Sequence, residues 1–142
     1  MSSLNKELVQ QKLADLTQYL DELSPLSTGS FDEYREDYVK RHAVEKLIEL
    51  IVEIATDVNR HIIEVNNDTM PPTYFSTFAQ MGELKILPKD LSARLASTTG
   101  LRNRLVHGYE KIEHKIVYRN IVPFLKDYQK FLVVIYDYLQ TK

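Results

Sequence analysis

The chain has no cysteine in 142 residues. That excludes a disulfide framework and a thiolate metal site, and it fits a reducing compartment. Long apolar runs are also missing. The longest, Phe131 to Tyr136, falls far short of the roughly 20 residues that span a bilayer. The first residues lack the basic-then-apolar pattern of a signal peptide. These absences predict a cytoplasmic chain with no membrane segment. Glycine is scarce, with four in all, so no Gly-rich phosphate loop is present. No H-E-x-x-H pattern, carboxylate pair or Cys/His set appears, so no metal ligands and no cofactor are expected. Period-two alternation is rare, which argues against strands.

Apolar residues recur instead at helical spacing. Hydrophobic residues make up 44% and charged residues 27%, ordinary values for one globular domain over residues 1–142. A chain this long buries roughly 70% of its extended surface. Leu4, Leu8, Leu13, Leu16, Leu20 and Leu23 form a stripe that predicts a first helix at 4–23. The segment from Ser24 to Ser30 contains Pro25 and Gly29 and reads as a turn. A long second helix is expected over 32–66, with Val39, Ala43, Leu47, Leu50, Ile51, Ile54, Val58, Ile62 and Val65 inward. Asn66 to Asp68 ends it, and Pro71-Pro72 bars continuation. Thr73 should cap a short helix at 74–83 whose apolar side is Phe75, Phe78 and Met81. Pro88 suits the start of a helix at 89–106. Gly100 within it suggests close packing against a neighbour, and Gly108 is the expected terminator. A polar connection over 107–114 leads to a last helix at 115–140, in which Pro123 should cause a kink or delay the regular start. The reading is all-α: an up-and-down helical bundle of four main helices plus a short one.

The net charge is −2, which disfavours general adhesion to nucleic acid. Its distribution is uneven. Between Arg94 and Arg119 there are six basic side chains and two acidic ones. A local positive site on an acidic body suits a selective anion contact.

That stretch holds Leu101-Arg102-Asn103-Arg104-Leu105-Val106-His107-Gly108-Tyr109. Arginine to hold a phosphate and histidine to move a proton are the minimum for phosphodiester chemistry without a metal. Asn103 and His107 are four apart and share a helix face, so Asn103 is a candidate to orient the imidazole. Arg102 and His107 are five apart, about 140° around an ideal helix. They converge only if the helix opens near Gly108 or if a ligand spans both sides. The plain alternative is a histidine that meets the last helix carbonyls, with solvated arginines. His42 and His61 are too far apart for a metal pair. His114 reads as an exposed loop residue. Asp57 and His61 read as a surface pair, or as a polar contact lining the site.

Arg102-x-x-x-x-His107-x-Tyr109 resembles the R-x4-6-H signature of the HEPN superfamily, in the R-x4-H-x-Y form of the HepT-like toxins. Asn103 matches the polar residue that follows the arginine. The resemblance covers nearly the whole chain. Arg41 to Leu50, with Asp57 and His61 to Ile63, is similar to the family's long second helix. Phe75, Phe78 and Gly82 are similar to its middle segment. The resemblance implies a HEPN-like homodimer whose two motifs line one cleft. It implies a metal-independent ribonuclease, the toxin of a type VII-like toxin–antitoxin system, with RNA as substrate. It also implies a minimal nucleotidyltransferase antitoxin that adds AMP to the motif tyrosine. On this chain Arg102 and His107 would be catalytic, Asn103 supporting and Tyr109 the site of AMPylation. Arg104 is the candidate for a further RNA contact. Two other readings compete: a non-catalytic helical module that docks a nucleotidyltransferase or a nucleotide, and a plain structural bundle.

Overall fold

A computed structural model describes residues 3–66, 69–108 and 112–142. Among the described residues all regular structure is helical, with no strand. The helices are α1 (Lys6–Leu23), α2 (Phe31–Glu36), α3 (Tyr38–Val65), α4 (Tyr74–Glu83), α5 (Lys89–His107) and α6 (His114–Gln140). A 3₁₀ turn covers Ser24–Ser27. The four long helices and short α4 are those the periodicity implies. The turn and α2 are additions.

The expected second helix is divided at Asp37, which closes α2 and caps α3 by accepting from the Lys40 amide at 3.0 Å. Its neighbour α2 opens on a capping box, in which Ser30 and Glu33 satisfy each other's backbone amides. Thr73 caps α4 as expected, through a similar exchange with Ser76. Pro88 stands one position earlier than the first turn, and α5 begins at Lys89. The last helix passes through Pro123 and starts well upstream of it, so the proline neither ends nor delays α6. The carbonyl that loses its donor belongs to exposed Arg119, where water can replace the missing bond.

One core joins the four long helices. From α1 it takes Val9, Leu13, Leu16, Leu20 and Leu23, and from α3 it takes Val44, Ile48, Ile51, Val52, Ala55, Val58, Ile62 and Ile63. Three residues of the expected stripes face outward instead: Leu8, Val39 and Phe75. All three stand in the first turn of their helices, and from Leu13, Leu47 and Phe78 onward those stripes pack inward as expected, with Val9 and Val44 added to the buried face. Phe78 of α4 meets Tyr128 and Phe131 of α6 edge-on, at ring distances of 6.4 and 6.1 Å. Such pairs add about 0.5–1.5 kcal/mol each beyond the area they bury.

The α4–α5 crossing sets where the end of α5 lies. Ser92 Oγ donates to the Phe78 carbonyl at 2.7 Å. A Cβ at Gly82 would come within 2.6 Å of that hydroxyl, so the two backbones approach as closely as they do only because residue 82 is glycine. Gly100 is different. A Cβ there would meet nothing within 4 Å, and close packing is not the reason for that glycine.

Candidate functional site

Three motif residues fall on the last turns of α5. The helix stays regular through His107, and Gly108 then takes the left-handed conformation at φ 64°. The Gly108 amide donates to the Arg104 carbonyl at 3.2 Å and completes the stop.

Arg102 is held from three directions. Its Nη2 donates to Glu53 Oε1 of α3 at 2.9 Å, and its Nη1 donates to Asn103 Oδ1 at 3.1 Å. Its Cζ lies 4.5 Å from the centroid of the Tyr74 ring. The side chain is only 14% exposed. Nε is buried and has no hydrogen-bond partner among the described residues. A guanidinium carries five N–H donors and keeps its charge at any ordinary pH. The result is a fixed cation with donors to spare.

His107 is exposed at the end of the same helix. Because α5 does not unwind between positions 102 and 107, the two side chains keep the separation of about 140° that an ideal helix gives. One chain therefore carries the guanidinium toward α3 and α4, and the imidazole on a different side of α5. The i,i+4 spacing suggested that Asn103 orients His107; among the described residues Asn103 Oδ1 accepts from Arg102 Nη1. Arg104 is exposed and lines an open cavity of about 480 Å³ with Glu45, Gly108 and His114. Tyr109 lies outside the described residues.

The remaining sequence candidates find other partners. His114 Nε2 lies 3.3 Å from Arg41 Nη1. Since a guanidinium can only donate, that nitrogen is the acceptor. His61 Nε2 accepts from the Asn5 amide at 3.1 Å. Asp57 pairs with Lys12 at 3.5 Å, so the expected Asp57–His61 pair gives way to contacts with α1 and its cap. His42 sits edge-on to Tyr38. Arg94, although in the basic stretch, belongs to the frame: it binds Asp127 at 3.0 Å and Asp90 at 3.3 Å. The hydrogen bond to Asp127, ahead of the one to Asp90, raises its affinity for the proton. Among the described residues, no cluster of three His, Asp or Glu is placed to hold a metal ion. No helix there is long and apolar enough to cross a membrane.

Sequence reasoning missed Glu53 and Tyr74. Both belong to other helices, and nothing near either of them in the chain marks it. The only available signal was a charged residue beside the apolar stripe of α3, which any solvent-facing position would give.

Comparison with known proteins agrees with the motif. A family model described as ribonuclease HepT-like matches residues 10–135. The tRNA nuclease HepT of Aphanizomenon flos-aquae is 31% identical over 141 residues, covering 99% of this chain and 96% of that protein. The mRNA nuclease HepT of Shewanella oneidensis is 24% identical over 107 residues, covering 75% of this chain and 80% of that one. Among solved structures, the tri-AMPylated HEPN toxin of Shewanella oneidensis, in complex with its MNT antitoxin, superposes with a TM-score of 0.84 at 21% identity. That match covers 96% of this chain and 99% of the other.

Proposed function

Because the chain belongs to the ribonuclease HepT-like family, we propose that it is the RNA-cleaving toxin of a toxin–antitoxin pair, with Arg102 and His107 as its catalytic residues. The observation that carries this reading is the held guanidinium of Arg102, fixed by Glu53, Asn103 and Tyr74 on the helix that ends at His107. A preorganised cation costs no rearrangement when charge builds on a phosphoryl oxygen.

The reaction is a transesterification. The ribose 2′-oxygen bonds to the adjacent phosphorus as the bond from phosphorus to the 5′-oxygen breaks, and a 2′,3′-cyclic phosphate is left. One proton leaves the 2′-hydroxyl and one reaches the departing 5′-oxygen. Histidine, with an ordinary pKa of about 6.5, is suited to either transfer. Arg102 takes the charge on the non-bridging oxygens, which is the task a metal ion would otherwise perform, so the step is metal-independent. One imidazole cannot be acid and base at the same instant. Two copies of the chain, with both motifs on one cleft, bring together groups that a single α5 carries on different sides, and each reacting phosphate then has one His107 for one transfer and water for the other. Arg104, exposed on the same helix end, is the proposed further contact to the RNA backbone.

The test uses purified protein and single-stranded RNA with excess chelator. Wild type cleaves and leaves cyclic phosphate ends. Arg102→Ala and His107→Ala each lose at least about 100-fold in rate, the usual scale for a charge-stabilising or proton-moving group. Parental rates in both variants would overturn the assignment.

Regulation follows from the partner seen in relatives. A nucleotidyltransferase antitoxin transfers AMP from ATP to the Tyr109 hydroxyl and releases pyrophosphate. The new phosphodiester adds a negative charge and bulk two residues from His107, so RNA phosphate is repelled. Tyr109→Phe stays active and escapes neutralisation. Full neutralisation of that variant would mean that inhibition works by binding alone.

One observation favours a second reading. Within one chain the two side chains occupy different sides of α5, as a module that only binds nucleotides or a nucleotidyltransferase would allow. A wild-type protein that binds RNA and never cuts it would establish that module.

A further inference from the structure

We propose that Arg60 is a second phosphate ligand of the RNA site, holding the phosphate next to the one that reacts at Arg102. The inference rests on the nuclease reading above. Tyr74 is what joins the two arginines. Its ring centroid lies 4.5 Å from Cζ of Arg102 and 5.0 Å from Cζ of Arg60. One aromatic side chain at the start of α4 therefore carries a guanidinium from α5 and another from α3.

Stacking restrains a planar guanidinium and leaves the N–H groups on its edge free to meet an anion. Arg102 spends two of its donors inside the protein, on Glu53 and Asn103. Arg60 makes no ion pair among the described residues. The carboxylates nearest to it along α3 do not neutralise it: Asp57 pairs with Lys12, and Glu64, one turn on, is exposed and forms no ion pair with it. Arg60 is half-buried, so its stem packs while its charge stays available. A cation that is oriented, lacks a carboxylate and shares a ring with the catalytic arginine is what a polyanion running past Arg102 would meet next.

The test is the salt dependence of binding. His107→Ala protein serves as background, so that the RNA remains whole. Affinity for a single-stranded oligoribonucleotide is measured between about 50 and 200 mM salt, where each phosphate contact on a single strand contributes about 0.7 to the log–log slope. Adding Arg60→Gln should weaken binding and lower the slope by about 0.7. Arg60→Lys keeps the charge and should keep the slope. Lys130→Gln, in a groove with Asp90 and Arg94 at the far end of α5, removes the same charge and should leave the slope as it was. An unchanged slope and affinity in Arg60→Gln overturns the assignment, as does an equal loss of slope in Arg60→Lys. If the background protein binds no RNA and wild type cuts none, the nuclease reading falls and Arg60 falls with it. If wild type cuts RNA and Arg60→Gln binds like its parent, only Arg60 is wrong.

Discussion

Arg102 differs from the other arginines of the basic stretch in how its charge is spent. Arg94 is bound by two carboxylates and closes a joint between α5 and α6. Arg104 is solvated. Arg102 has one carboxylate, one amide oxygen and one ring, so it is located without being neutralised twice. Glu53→Ala should therefore cost about 1 kcal/mol of stability, the scale of a charged hydrogen bond discounted for a partly solvated partner. RNA cleavage at saturating substrate should fall further than the fraction of folded protein does, which a parallel melt and rate measurement would show. A loss of rate that only tracks unfolding would remove Glu53 from the positioning role. The motif residues were legible in sequence because their spacing is local. The partner Glu53 was not, since 49 residues separate it from Arg102 and only the packing of α3 against α5 joins them.

At the scale of elements, the starts and stops were legible where a side chain or a backbone angle dictates them. Thr73 opens α4, and Gly108 closes α5, because each meets a local requirement of a helix end. The break at Asp37 was hidden, since an unbroken apolar periodicity runs across it. The two helical glycines separate packing from propensity. Gly82→Ala should destabilise by about 1–3 kcal/mol, because its methyl would press on Ser92 where backbones are close. Gly100→Ala should stabilise by about 0.5–1 kcal/mol, because the space is open and the residue lies inside a helix. Denaturant midpoints of the two variants should move in opposite directions. A midpoint that rises in Gly82→Ala would mean that the α4–α5 contact is not what glycine 82 serves.

For the whole molecule, the bundle was legible from the stripes, and the choice of which apolar residues face outward was not. Val39 is 64% exposed and Phe75 is 55% exposed despite their helical spacing, because each lies in the first turn of its helix, ahead of the packed stretch. Two core tyrosines set an alkaline limit on stability. Burial pushes the Tyr34 hydroxyl up to about 12. Burial also raises Tyr128, whose hydroxyl lies 2.7 Å from Thr98 Oγ1. Both remain protonated in the folded chain at pH values where the unfolded chain ionises. Their contribution is complete below about pH 10 and is lost above it. The denaturation midpoint should decline between about pH 10 and 12, and Tyr34→Phe should make that decline shallower. A decline of unchanged depth in the variant would exclude Tyr34 as a cause.

The central claim is that Arg102 and His107 act together on one phosphate, which two copies of the chain complete. The most direct measurement mixes Arg102→Ala and His107→Ala subunits, each inactive alone, and assays RNA cleavage after co-refolding. Half of randomly formed dimers pair the two variants and hold one intact combination across the cleft, so activity should return to about a quarter of wild type. Mixtures as inactive as either variant, in samples shown to contain the mixed dimer, would contradict a site shared between chains.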